Sequence, residues 1–451
     1  MNNYKATTKI ITILNTIAIL RNFIDPVKHK FKFICSWILT TFLVVVFPPI
    51  IIYIQMNDIK QHMAYNIESV TYMFQYIIHD LGYISIVIIG QYQSKNAMTL
   101  IERIDKVDKI FKELGIEIEY RSLFRHMMIV GSFWLLNAVI VFALFIKMLI
   151  QRSALYTTAF LIFIYCYITN AQSIILYDYN TAVYWLGSRF KNINQLMETF
   201  ILKNSQVETE DSDTEIIFEP SHNFRNRFEL DDWLSERTVK VLQVNSTNNT
   251  RKLKQRSLSD DKIRLLQRIR FAHLQVCNIS KMVNQIFNAQ ILIYTTVILL
   301  NCSISVYFLY MQFSRPSNSI ISIELIMMYV LNNVLAALKI PLMSYDCENT
   351  MRQANKTIGL LHACPVDGRN AELTDEILQF SWQISYTQLE RTKSVHYILN
   401  YGSVRYCLNF VISYLVIMIQ WSQHLIKKDS IIITNKTTTF QTLQDNTSIV
   451  V

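Results

Sequence analysis

Glycine and proline are scarce in this chain, 8 and 7 of its 451 residues. That scarcity excludes an ordinary pair of soluble domains, whose many turns need both residues. Charge is scarce as well, with 17% of the residues Asp, Glu, Lys or Arg. The seven cysteines (Cys35, Cys166, Cys277, Cys302, Cys347, Cys364 and Cys407) hold no C-x-x-C pair and no zinc spacing, and read as packing residues in or beside helices. His, Asp and Cys are scattered without catalytic spacing, so the sequence implies no enzyme chemistry, no metal and no cofactor.

What is abundant is apolar: 51% of the residues are hydrophobic and 12% aromatic. These residues clump into runs near or above the roughly 20 needed to cross a bilayer as a helix. Seven spans follow, at about 33–54, 69–92, 127–149, 154–177, 287–311, 319–343 and 397–425. The fold class is therefore an all-α, multi-pass membrane protein. The formal charge of +9 follows no nucleic-acid motif and is spread over several loops. Nucleic acid is excluded as a partner, and lipid is expected as one.

Lys and Arg set the orientation. Lys5, Lys9, Arg21, Lys28, Lys30 and Lys32 precede the first span, and seven more basic residues from Lys95 to Arg125 lie between the second and third. The alternate loops hold Lys60, then Lys147 and Arg152, then Arg315. The positive-inside rule places the amino terminus in the cytoplasm and, after seven crossings, the carboxyl terminus outside. The run IITILNTIAIL at 10–20 lacks a small-residue cleavage site and ends at Arg21, which favours a short interfacial helix over a signal peptide.

The expected organisation is a cytoplasmic segment at 1–32 and helices one to four within 33–177. Helical extensions with a disordered, polar insert at 203–262 make up 178–286, and helices five and six occupy 287–343. Anchor helices fill 344–396, split by the turn PVDGRN; the last helix spans 397–425, and a tail outside the cell covers 426–451.

The last span carries the most specific pattern. At 100° per residue, Gly402, Tyr406, Asn409, Ser413, Ile417, Gln420 and His424 fall within a band of roughly 80°. A polar stripe on an otherwise apolar helix faces either a wet cavity or other helices through hydrogen bonds. Both readings stand at this point.

The stretch SYLVIMIQW at 413–421 resembles the TYhhhhhQF signature that closes the last helix of insect gustatory receptors. Ser413 stands for threonine, Tyr414 and Gln420 match, and Trp421 replaces phenylalanine. The segments FAHLQVCNISKMVNQIFNAQILIY, GLLHAC and LQFSWQISYTQ are similar to the family's regions around helix five and before helix seven, so the resemblance covers most of 262–425. It implies a ligand-gated, nonselective cation channel of the plasma membrane, built as a homo- or heterotetramer and passing sodium, potassium and calcium. Each last helix would line the pore, with Gln420 and Trp421 at its narrow outer part and Ile417 one turn deeper. The cytoplasmic helices would form an anchor domain between subunits.

The resemblance also implies a pocket for a small-molecule tastant in the outer half of helices two to six. That zone contains Tyr72, Tyr76, His79, Asp80, Asn137, Tyr156, Phe160, Tyr307, Glu324 and Met327. Asp80 and Glu324 stand out, because a charge at membrane depth costs about 2.5–3.5 kcal/mol on insertion scales. Aromatic rings beside hydrogen-bonding groups suit a sugar, a bitter alkaloid or an amine. The alternatives are an odorant-type subunit that requires a coreceptor, or a G-protein-coupled receptor. The latter would place its amino terminus outside and usually carry a disulfide to an outer loop, and no short outer loop here contains a cysteine.

Overall fold

The computed structural model describes residues 2–23, 30–62, 67–150, 155–210, 247–314, 323–364, 371–387, 404–420 and 423. Among them there is no strand; the chain is a succession of helices. In order these are α1 (Asn2–Ile17), α2 (Lys30–Thr41), α3 (Phe47–His62), α4 (Ile67–Tyr92), α5 (Ser94–Glu113), α6 (Tyr120–Ile150) and α7 (Leu155–Glu210). They continue as α8 (Thr247–Ser314), α9 (Ile323–His362), α10 (Ala371–Thr387) and α11 (Val404–Gln420).

Four helical stretches among the described residues are long and apolar enough to cross a membrane: Lys30–Ile54, Met73–Tyr92, Tyr120–Ile140 and Asp260–Met311. The other three expected spans fall on α7, α9 and α11, each interrupted by or adjoining residues outside the described set. Across the first span, α2 and α3 are joined by a five-residue π-helix, Phe42–Val46. Its cause is local: Pro48 and Pro49 lack N–H groups and their rings crowd the carbonyls one turn back, so the hydrogen-bond ladder widens there. In this part of the molecule apolar side chains such as Phe31, Ile38 and Val45 point outward. In water that would be a liability; in hydrocarbon it is the ground state.

The other end of the bundle, the base, is packed like a soluble protein. Buried residues recur every three or four positions: Leu186, Phe190, Ile193, Met197 and Phe200 on α7, and Leu373, Ile377, Phe380 and Ile384 on α10. On α8 the series is Leu266, Ile269, His273, Val276, Ile279, Val283, Phe287 and Gln290. Steps of three and four average 3.5 residues, the spacing of a seam in which side chains of one helix sit between those of the next. The expected insert at 203–262 overlaps the helical ends of α7 and α8; residues 211–246 lie outside the described set.

Polar ties fix the packing at the base. Arg189 of α7 makes a two-pronged pair with Asp108 of α5, 2.7 Å from Nε to Oδ1 and 3.2 Å from Nη2 to Oδ2, and the Tyr120 hydroxyl donates to Asp108 at 2.6 Å. Arg270 of α8 pairs with Glu376 of α10 at 2.9 Å. Thr357 of α9 donates to Asn194 Oδ1 of α7 at 2.7 Å. The end of α5 is closed by Gly115 at φ 78°, with Ile116 N–H reaching back to the Phe111 carbonyl and both of those side chains buried. This is the glycine-capped stop that the positive φ requires.

The segment after α1 is built into the bundle. Ala18, Leu20 and Arg21 are buried, and Leu20 passes so close to α4 that a Cβ at Gly90 would collide with its carbonyl. The expected interfacial helix thus ends inside the protein. The reason is Arg21, whose guanidinium meets Asp178 at 3.3 Å, Gln290 Oε1 at 2.5 Å and the Phe287 ring at 4.2 Å.

Candidate functional site: the exposed face of α11 and the polar interior of the bundle

α11 meets the rest of the chain along a narrow seam. Cys407 and Met418 are 5% and 8% exposed, and Val404, Val411, Tyr414 and Leu415 are half-buried beside them. The sequence-derived stripe lies elsewhere: Tyr406 is 76% exposed, Ile417 60%, and Asn409, Ser413 and Gln420 are exposed too. At 100° per residue the centres of the two stripes stand about 150° apart. The polar side of α11 therefore points away from its own bundle. No hydrogen bond from Gln420 or Ser413 to another described residue is present. Tyr414 stacks on Phe410 at 6.3 Å. Gly402, Trp421 and His424 lie outside the described residues.

The expected ligand-pocket residues divide into three groups. His79 and Asp80 of α4 and Tyr307 of α8 are buried in the bundle, and Tyr76 is half-buried one turn before them. Met327, 56% exposed, lies on the outer surface of α9 and does not join them. The side chains of Tyr72, Asn137, Tyr156, Phe160 and Glu324 lie outside the described residues. Gln172 of α7 donates to the His79 carbonyl at 2.9 Å, and Gln75 pairs with Asn301 of α8. One Asp80 oxygen, Oδ2, is buried without a hydrogen-bond partner among the described residues. A carboxylate left this way is costly unless protonated or met by a ligand.

Two polar groups escaped the reading of the sequence. Arg21 counts as a charge that orients the chain, yet it is buried against Asp178 and Gln290. Lys339 of α9, the sole basic residue of the expected span 319–343, donates to Ser173 Oγ at 3.2 Å and to the Tyr294 hydroxyl at 3.4 Å. The rule that singled out Asp80 and Glu324, a charge at membrane depth, would have found Lys339 as well.

Residues 9–424 match the family described as 7tm Chemosensory receptor. The chain belongs to that family. The match covers nearly the whole of this chemosensory receptor, and it places the protein among membrane receptors rather than enzymes. No match was found among curated protein sequences. Among solved structures the receptor is similar to the insect olfactory receptor OR5 from Machilis hrabei, determined in complex with eugenol. That likeness has a TM-score of 0.57 and 9% identity, and it covers 93% of this chain and 99% of the other. At that identity it speaks for the fold alone. The receptor is thus an all-α membrane protein with the seven-helix architecture expected from its hydropathy.

Proposed function

We propose that this receptor is a gustatory-type, ligand-gated, nonselective cation channel of the plasma membrane, acting as a homo- or heterotetramer. The observation that carries the reading is the turn of α11: its polar stripe faces outward from the subunit, while its apolar seam holds it to the bundle. A helix so mounted suits a ring in which four copies bring Ser413, Ile417, Gln420 and Trp421 to a common wet axis, where the Gln420 amides meet water, permeating cations and one another. Sodium, potassium and calcium are the permeant ions. The base, with α5, α10 and the lower parts of α7, α8 and α9, serves as the anchor between subunits in the cytoplasm. The charge asymmetry of the loops supports that orientation, with the carboxyl terminus outside.

Ligand binding belongs to the interior of the bundle, around Tyr76, His79, Asp80 and Tyr307, and the ligand is a small tastant. The gustatory assignment over the odorant one rests on Tyr414, Gln420 and the aromatic Trp421 at their characteristic spacing. The test is expression alone in cells that contain no other insect receptor, under a panel of sugars, alkaloids, amino acids and amines. A ligand-gated cation current without any added subunit is the expected result. Current that appears only with a shared coreceptor would make the protein an odorant-type subunit instead.

A further inference from the structure

Among the described residues, arginines that enter the packed interior of this receptor are answered by acids. Arg21 has Asp178 and Arg189 has Asp108. Lys339 has no Asp or Glu within ion-pair distance among the described residues; its ammonium rests on two hydroxyls, Ser173 Oγ at 3.2 Å and Tyr294 Oη at 3.4 Å. Those oxygens are themselves 3.2 Å apart, so α7, α8 and α9 present one compact group around the nitrogen. One residue before Ser173, Gln172 donates to the His79 carbonyl at 2.9 Å, which brings the stretch of α4 that holds expected ligand residues level with the group.

A lysine near the end of a membrane helix ordinarily bends outward to the headgroups. Lys339 bends inward, although its neighbours Leu338 and Leu342 face out. Hydroxyl dipoles accept two of the three ammonium protons but supply no opposite charge. Among the described residues one N–H donor and a net positive charge are therefore left unmatched, and an anion in surroundings of low dielectric is attracted to such a charge far more strongly than in water.

We propose that Lys339, Ser173 and Tyr294 form a subsite for the carboxylate of an acidic ligand. This deepens the reading of the bundle as ligand-binding and rests on it. A monovalent carboxylate matches the single charge, and its oxygens can accept the ammonium proton that the two hydroxyls leave free. The chemistry excludes amines, which Lys339 repels.

The experiment uses the full chain in nanodiscs of phosphatidylcholine alone, so that no lipid brings an acidic headgroup. Its melting temperature is followed in acetate, butanoate, octanoate and benzoate, each against the corresponding primary alcohol. At least one acid should raise the melting temperature in a saturable manner while its alcohol does not. Lys339→Gln should weaken that acid at least tenfold, Lys339→Arg should retain it, and Ser173→Ala should fall between. The proposal is overturned if no acid exceeds its alcohol, if Lys339→Gln keeps the effect, or if phosphatidylserine in the disc stabilises the protein where the free acids do not. Should Lys339→Gln fail to fold, the wild-type acid-against-alcohol comparison and the arginine variant still decide. Currents recorded in parallel separate the two readings: acid binding without any current sinks the channel and keeps the subsite, and alcohol-gated current without acid binding does the reverse.

Discussion

His273 shows how one residue of the α8 seam links burial to pH. Its ring lies 5.7 Å from Phe190 and 5.5 Å from Phe380, with the Cys277 sulfur 3.7 Å from Nδ1. Burial disfavours the imidazolium and pulls its pKa down to about 4, while the Cys277 thiol is pushed up to about 11 by the same cause. The unfolded chain then binds a proton, near pKa 6.5, that the folded chain refuses, so stability is present above that pH and is lost as pH falls toward 4. Between pH 7.5 and 5 the loss from this residue is about 2 kcal/mol. A His273→Leu receptor should melt with less dependence on pH over that range than the wild type; equal dependence would contradict the burial argument. Single residues of this kind are where the sequence is least legible. His273 could be placed on a helix by spacing alone, but its two aromatic neighbours come from α7 and α10, far away in the chain. The burial of Arg21 and the partners of Lys339 were hidden for the same reason, since nothing local says that Asp178 and Gln290 converge on the one, or Ser173 and Tyr294 on the other.

At the scale of elements the sequence was far more open, because helical burial is periodic and the period is written in the residues. The spacing in YWLGSRFKNINQLMETFI predicts a helix running on from the fourth span, and α7 buries Trp185, Leu186, Phe190, Ile193 and Met197 within that stretch. The same holds for α10 through Leu373, Ile377, Phe380 and Ile384. What periodicity cannot say is the partner. α10 lies on α8, held by the Arg270–Glu376 pair and by Gln383, which donates to the Arg270 carbonyl at 3.0 Å. Phe380 is the largest fully buried side chain of that contact. Cutting it back as Phe380→Ala should cost about 3–5 kcal/mol. In hydrogen exchange, amides of 371–387 should open roughly 100- to 4,000-fold faster, at 1.4 kcal/mol per tenfold, with α4 left unchanged. Unchanged exchange in α10 would mean that its apolar face is not what holds it.

For the whole molecule, two packing regimes meet in one chain: apolar surface outward where α2 to α4 and α6 cross, apolar surface inward at the base. Hydropathy separated them from the residues alone, since one regime needs runs of apolar residues and the other needs stripes. The depth to which the segment after α1 enters the bundle was not legible, because it depends on contacts between distant segments, such as Arg21 with Asp178 and Gln290. The stripe on α11 was legible as a stripe, and the fold supplies its direction, away from the subunit that owns it. The account turns on that direction. The measurement is the reversal potential in sodium against calcium, with surface protein normalised, for wild type and Gln420→Glu. Four added carboxylates in one ring should shift the preference toward calcium and strengthen block by divalent cations. A Gln420→Glu channel that reaches the surface, gates normally and keeps the wild-type ion preference would contradict the placement of α11 at the pore.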